Sequence, residues 1–243
     1  EALGLPKEKT ENYELLAQGE YNINYAFTHS VTGKKLLLRV NCGSQMHLEH
    51  QIEYEAHALR LMEGSGRTPK VLYVDGSKKI LEHGVLVMEY LPGHAMDYHT
   101  ELMLAAPCLA DIHSVPIPES EEILIHPQNP LKAILEECEE MFKVYLESPL
   151  GDGEKKTYIR ELLDLGWKRE AEIQLESGYQ CCINTELNST NLLINGEEKS
   201  NYLIDWEKPL FGNPAQDLGH FLAPTTTFWK TDVILTSEEM EKF

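Results

Sequence analysis

Glu186 and Asn191 stand five apart in the polar stretch Ile183-Asn184-Thr185-Glu186-Leu187-Asn188-Ser189-Thr190-Asn191, and Asp205 follows fourteen residues later. If the apolar runs between Asn191 and Asp205 pair as a hairpin, those two side chains meet at its open end. An amide oxygen and a carboxylate there are hard ligands suited to magnesium that also holds substrate phosphates. A further carboxylate at Glu186 would sit beside them to accept a hydroxyl proton. Such a set serves phosphoryl transfer, where catalysis consists mainly of positioning and of charge neutralisation.

The elements that must position these residues are visible in the patterning. Tyr13–Ala17, Tyr25–His29 and Lys35–Val40 read as a three-strand meander, with turns at Gln18–Asn22 and Val31–Lys34. From Leu48 to Met62, apolar residues recur every three or four positions, which predicts an amphipathic helix stopped by Gly64 and Gly66. Strands follow at Lys70–Val74 and Val85–Tyr90, and Leu91-Pro92-Gly93 breaks the pattern. Beyond it, Glu101–His113, Pro130–Leu146 and Lys155–Leu175 read as helices, and short strands return at Tyr179–Ile183, Asn191–Ile194 and Tyr202–Ile204. We therefore expect an α+β chain with a small antiparallel sheet and one helix over residues 1–91, and a larger, mainly helical lobe over residues 92–243. Thr236 or Ser237 would cap a last helix that has barely begun when the sequence stops, from which a missing downstream segment is expected.

With this order of elements, the loop and Asp205 resemble the aminoglycoside phosphotransferase and choline kinase-like family, whose protein-kinase-like fold carries a His-x-Asp-x-x-x-x-Asn loop and a metal motif close to Leu203-Ile204-Asp205-Trp206-Glu207. Gly212-Asn213-Pro214-Ala215-Gln216-Asp217-Leu218 is similar to its Gly-x-Pro-x-x-Asp-Leu segment, whose aspartate supports the catalytic loop. Leu109-Ala110-Asp111-Ile112-His113-Ser114-Val115-Pro116 is similar to its Leu-x-x-x-His-x-x-Pro helix end. The resemblance covers roughly residues 13–222. It implies a two-lobed kinase-like fold, ATP or GTP with magnesium as cofactors, Asn191 and Asp205 as metal ligands, and Arg39 in the place of the phosphate-contacting lysine. The partner it implies for Arg39 is Glu55, which shares the apolar face of its helix with Ile52 and Leu59 and so needs a partner unless it reaches water at the edge. Met88-Glu89-Tyr90-Leu91 resembles the hinge that offers backbone groups of Glu89 and Leu91 to the base. Gly19 and Asn22 fall where a loop should cover the phosphates, with a single glycine in it.

Two positions depart from the family pattern. Asn184 stands in place of the loop histidine, and Glu186 in place of the catalytic aspartate. Glutamate keeps the charge but carries its carboxylate about 1 Å further, and misplacement on that scale costs about a hundredfold. Asn184 still offers hydrogen bonds to the loop backbone.

Composition narrows the partners. The net charge is −19, from 40 acidic and 21 basic residues, which excludes a nucleic-acid surface built of clustered Lys and Arg and favours a cationic small substrate. No apolar run approaches the roughly 20 residues needed to span a bilayer, and no basic and apolar leader opens the chain, so a cytoplasmic location without membrane partners is expected. The five cysteines lack CxxC spacing and read as reduced core thiols. His47-x-x-His50 reads as solvated and the sequon at Asn188 as chance. Two functions remain open: transfer of the γ-phosphate to the hydroxyl of a small cationic molecule, or nucleotide binding without transfer. The acceptor and the oligomeric state carry no signature.

Overall fold

A computed structural model describes residues 3–4, 11–173 and 178–243. Contacts divide the chain into two units, Glu1–Ile125 with Gln180–Phe243, and His126–Tyr179. The break expected near residues 91–95 falls inside the first of them.

The first unit opens with strands β1 (Glu14–Gln18), β2 (Asn22–Thr28) and β3 (Lys35–Asn41), helix α1 (Gln51–Met62), and strands β4 (Val71–Asp75) and β5 (Gly84–Glu89). The strands form one antiparallel sheet in the order β1-β2-β3-β5-β4. Strand alternation sends Phe27, Leu36 and Val87 to one face, where they form a small cluster with Leu38 and Tyr73. Leu37, Arg39, Leu86 and Met88 go to the other, and α1 packs there through Ile52, Leu59 and Met62. Alternation thus brings Arg39 of β3 to the helix carrying Glu55.

Helix α1 starts three residues later than the periodicity predicts. His50 provides no side-chain cap, and the Leu48 N–H is taken by Ser44 Oγ at 2.9 Å, which ends the preceding turn outside the helix. His47 lies in that turn at φ 56°, and both it and His50 are exposed. At the far end Gly66 adopts φ 67° and returns its N–H to Glu63 O at 3.1 Å, a stop that favours glycine.

The same unit continues with β6 (His94–Ala95), α2 (Leu102–His113), β7 (Cys181–Ile183), β8 (Leu192–Ile194), β9 (Tyr202–Leu203), β10 (Leu210–Gly212), α5 (Ala215–Leu222), α6 (Pro224–Thr231) and α7 (Ser237–Lys242). Here β8 and β9 form the expected antiparallel hairpin, with β6 added on the far side of β8, while β7 pairs with β10, a strand the sequence did not reveal. Leu187, Leu192, Leu203, Trp206 and Phe221 are fully buried beneath these sheets with α2.

The second unit contains α3 (Pro130–Glu147) and α4 (Gly153–Glu172), capped by the side chains of Asn129 and Asp152. A Cβ on Gly166 would lie 2.7 Å from Leu135 Cδ2, so this pair of helices relies on glycine for its close approach. Arg160 and Trp167 of α4 both donate to Glu139 of α3. Gln174 and Leu175, the expected end of the last helix, lie outside the described residues.

Cys108, Cys181 and Cys182 are buried and free, as a core thiol should be, but Cys42 is exposed and Cys138 half-buried. The expectation of five core thiols is corrected for those two: Cys42 follows directly on β3, at the end of the sheet. No described helix is long and apolar enough to cross a membrane.

Candidate active site

The polar loop after β7 is held by one buried carboxylate. Asp217, in the first turn of α5 and 1% exposed, accepts the N–H of Asn184 at 3.0 Å through Oδ2 and the N–H of Thr185 at 2.7 Å through Oδ1. His113, at the end of α2, places Nε2 2.9 Å from the same Oδ2. The two outlying motifs therefore converge beneath the loop. They hold Thr185 at φ 69°, a costly conformation for a β-branched residue, with its hydroxyl donating to Lys208 O at 2.6 Å.

Asn184, buried in place of the family's histidine, faces two ways. Its Nδ2 donates to Asp205 O at 2.7 Å, and its Oδ1 accepts the Glu186 N–H at 3.2 Å. One amide thus joins the loop to the residue expected to hold metal. Asn191, also buried, donates through Nδ2 to Glu186 O at 3.1 Å, which turns its Oδ1 away from that carbonyl. Asp205 itself sits at φ 66°.

Arg39 is the centre of the second cluster. Its Nη1 lies 2.5 Å from Glu55 Oε1 and 3.8 Å from Glu207 Oε1, and its Nη2 lies 3.2 Å from Asp205 Oδ1. Burial works against the guanidinium charge, but the three carboxylates outweigh it and raise the arginine pKa, so Arg39 is charged. Glu207 is pushed up to about 7, first by burial and then by Asp205, with Arg39 pulling the other way. Helix α1 grips this segment at two further points: Gln51 Nε2 donates to Glu207 O at 2.7 Å and Tyr54 Oη to Pro209 O at 2.6 Å. Tyr21, in the β1–β2 turn, has its phenol held above the ordinary value by desolvation and by the negative charges of Glu20, Glu207 and Glu186.

A cavity of about 240 Å³ opens beside Arg39, Glu55 and Asp205. Its apolar walls come from Ala17, Leu37 and Met88 of the sheet on one side and from Leu193 and Ile204 on the other. Glu89, Tyr90 and Leu91 form its edge. The Glu89 N–H is already engaged with Lys70 O at 3.0 Å. Gly93, at φ 129°, lies so close to β8 that a Cβ would come within 2.9 Å of Leu193 Cβ.

The family model for the phosphotransferase enzyme family matches residues 12–236. The chain belongs to this family. Solved structures agree in the kinase-like α+β fold. An ethanolamine kinase from Plasmodium vivax superposes with a TM-score of 0.70 at 15% identity, over 97% of this chain and 67% of that one. A choline kinase from Cryptosporidium parvum Iowa II gives 0.67 at 14%, over 96% and 70%. A spectinomycin phosphotransferase in complex with ADP and spectinomycin gives 0.62 at 16%, over 96% and 72%. The phosphotransferase-family chain described here thus spans about two thirds of the length of such structures. No curated protein matches it by sequence.

Of the sequence-predicted residues, Arg39, Glu55, Glu89, Leu91 and Asp205 line the cavity, and Asn184, Glu186 and Asn191 form the hydrogen-bonded loop beside Asp205. Gly19 and Asn22 do not line it. Asn22 is the first residue of β2 rather than part of a loop, because the turn closes early through Gly19 N–H to Asn22 O at 2.9 Å, and its Oδ1 accepts from Asn41 Nδ2 at 3.0 Å. Sequence reasoning missed Asn24, which lines the cavity and accepts from Arg39 Nε at 3.0 Å. The available signal was an asparagine in the middle of an apolar strand.

The donor set fits a hard divalent cation. Three carboxylates face one guanidinium, which leaves local negative charge in excess, and Glu55 Oε2 is buried with no hydrogen-bond partner among the described residues. The described residues contain no cluster of three or more His, Cys, Asp or Glu side chains arranged to hold a metal ion.

Proposed function

We propose that this chain is a phosphotransferase dependent on magnesium and ATP (or GTP), acting on the hydroxyl of a small cationic molecule such as an amino alcohol or an aminoglycoside. The observation that carries this reading is the cavity: apolar walls for a base at one end, and Arg39 with Glu55 and Asp205 at the other. Residues 1–91 supply the nucleotide lobe in this reading and residues 92–243 the catalytic loop. The Glu89 carbonyl and the Leu91 N–H meet the base edge, while Arg39 meets the phosphates. Asn191 and Asp205 hold magnesium, which, when bound, neutralises phosphate charge. Glu186 accepts or orients the acceptor hydroxyl proton, with its backbone set by Asn184. Gly19 and Asn22 shape the turn over the site, and the excess of acidic groups favours a cationic acceptor.

The Glu186 replacement supports a second reading, a nucleotide-binding protein without transfer. Nucleotide consumption is to be measured against choline, ethanolamine, aminoglycosides and sugars, with Glu186→Ala and Glu186→Asp alongside the native chain. The kinase reading expects one acceptor to raise consumption, and Glu186→Ala to lower it by about a hundredfold or more. Nucleotide that shifts the melting temperature while no acceptor raises consumption decides for the second reading.

A further inference from the structure

We propose that Asn24 is a positioning residue for Arg39, supplying the acceptor that an arginine, unlike a lysine, requires at this place in the sheet; this rests on the nucleotide reading of the cavity. A lysine ammonium carries its donors at one point, whereas a guanidinium adds an Nε–H partway along the side chain. Arg39 is 6% exposed, so an Nε–H without an acceptor would be a buried orphan donor. Asn24 lies directly across from Arg39 in the β2–β3 register and receives that N–H on Oδ1 at 3.0 Å.

The bond does more than satisfy a donor. A guanidinium is planar, so fixing Nε–H fixes the plane and with it the directions of both terminal nitrogens. That plane sends Nη1 to Glu55 and Nη2 to Asp205 at the mouth of the cavity. Asparagine is disfavoured inside a strand, and Asn24's other cross-strand partner is Ala17, so no polar partner on β1 accounts for it. Without Asn24 the guanidinium would turn about its last bonds, and the phosphate-facing geometry would spread while the base pocket kept its walls.

Calorimetric titration with magnesium–ADP and, separately, with adenosine tests this, because adenosine offers the apolar walls a base but offers Arg39 no phosphates. In Asn24→Val, affinity for magnesium–ADP is expected to fall about tenfold, equivalent to ~1.4 kcal/mol, while adenosine affinity stays within about twofold. In an Arg39→Lys background, which has no Nε–H, adding Asn24→Val should change magnesium–ADP affinity by less than about twofold. An equal tenfold loss in both backgrounds, an equal loss for adenosine and ADP, or no loss at all would overturn the inference. Native chain that binds neither ligand would instead overturn the nucleotide reading on which it rests.

Discussion

At the scale of single residues, the polar loop after β7 is set by two side chains of different kinds. Asn184 serves Asp205 O and Glu186 N–H together from a buried position. Asn184→Ala leaves the half-buried Asp205 carbonyl and Glu186 amide without this partner, so turnover is expected to fall by about a hundredfold through loss of loop geometry, measured as kcat with the best acceptor. Asn184→Asp keeps the acceptor for Glu186 N–H but loses the donor to Asp205 O and brings a charge towards that carbonyl, and it should not rescue. Asp217 is the deeper support, since its carboxylate accepts two loop amides and faces His113. Asp217→Ala is expected to cost about 3 kcal/mol or more in urea unfolding, because several buried donors lose their acceptor at once. The spacing of Glu186, Asn191 and Asp205 was legible because it lies within twenty residues of chain. The Asp217 tie was legible only through a family resemblance, since nothing local to Asp217 announces two amides 32 and 33 residues away.

At the scale of elements, α1 is the arm that holds the Glu207–Pro209 segment directly through Gln51 and Tyr54, and Asp205 indirectly, with Glu55 pairing to the Arg39 that meets it. Its other side is tied to the strap that follows α2, where Glu121 Oε2 meets His57 Nε2 at 2.8 Å and Oε1 accepts the amides of Ile123 and Leu124. Burial works to raise the Glu121 carboxyl, but these amides and His57 outweigh it and hold its pKa below the ordinary value. A folded pKa below the unfolded one means that the contribution is complete above the unfolded carboxylate value and is lost as pH falls through the folded one. Glu121→Gln is therefore expected to flatten the acid limb of a stability–pH curve followed by thermal melting, while leaving its shape near neutrality unchanged. In the helical unit, Asn129 caps α3 by accepting from Lys132 N–H at 3.0 Å and also donates to Glu170 at 2.7 Å. Asn129→Ala should lower stability by about 1 kcal/mol from the cap alone, read by chemical denaturation. Helix periods were readable here, but the start of α1 was not. Periodicity continues back to Leu48, whereas Ser44 takes the amide that would have continued the helix.

At the scale of the whole molecule, a net charge of −19 makes association with a cation a matter of ionic strength. The KM for a cationic acceptor is expected to rise by about tenfold from low to high salt, with the KM for a neutral sugar nearly flat; steady-state kinetics in a salt series checks it. What the sequence determined by itself was the kinase-like order of strands and helices, the spacing of Asn191 and Asp205, the altered loop positions and the acidic balance, because each is written in local spacing or composition. Only the tertiary structure decided that Ala17, Leu37, Met88, Leu193 and Ile204 wall one cavity, that Asn24 serves Arg39, and that Asn22 opens strand β2. Those facts depend on strand register and on contacts between segments distant in sequence, which side-chain types at fixed spacing cannot encode.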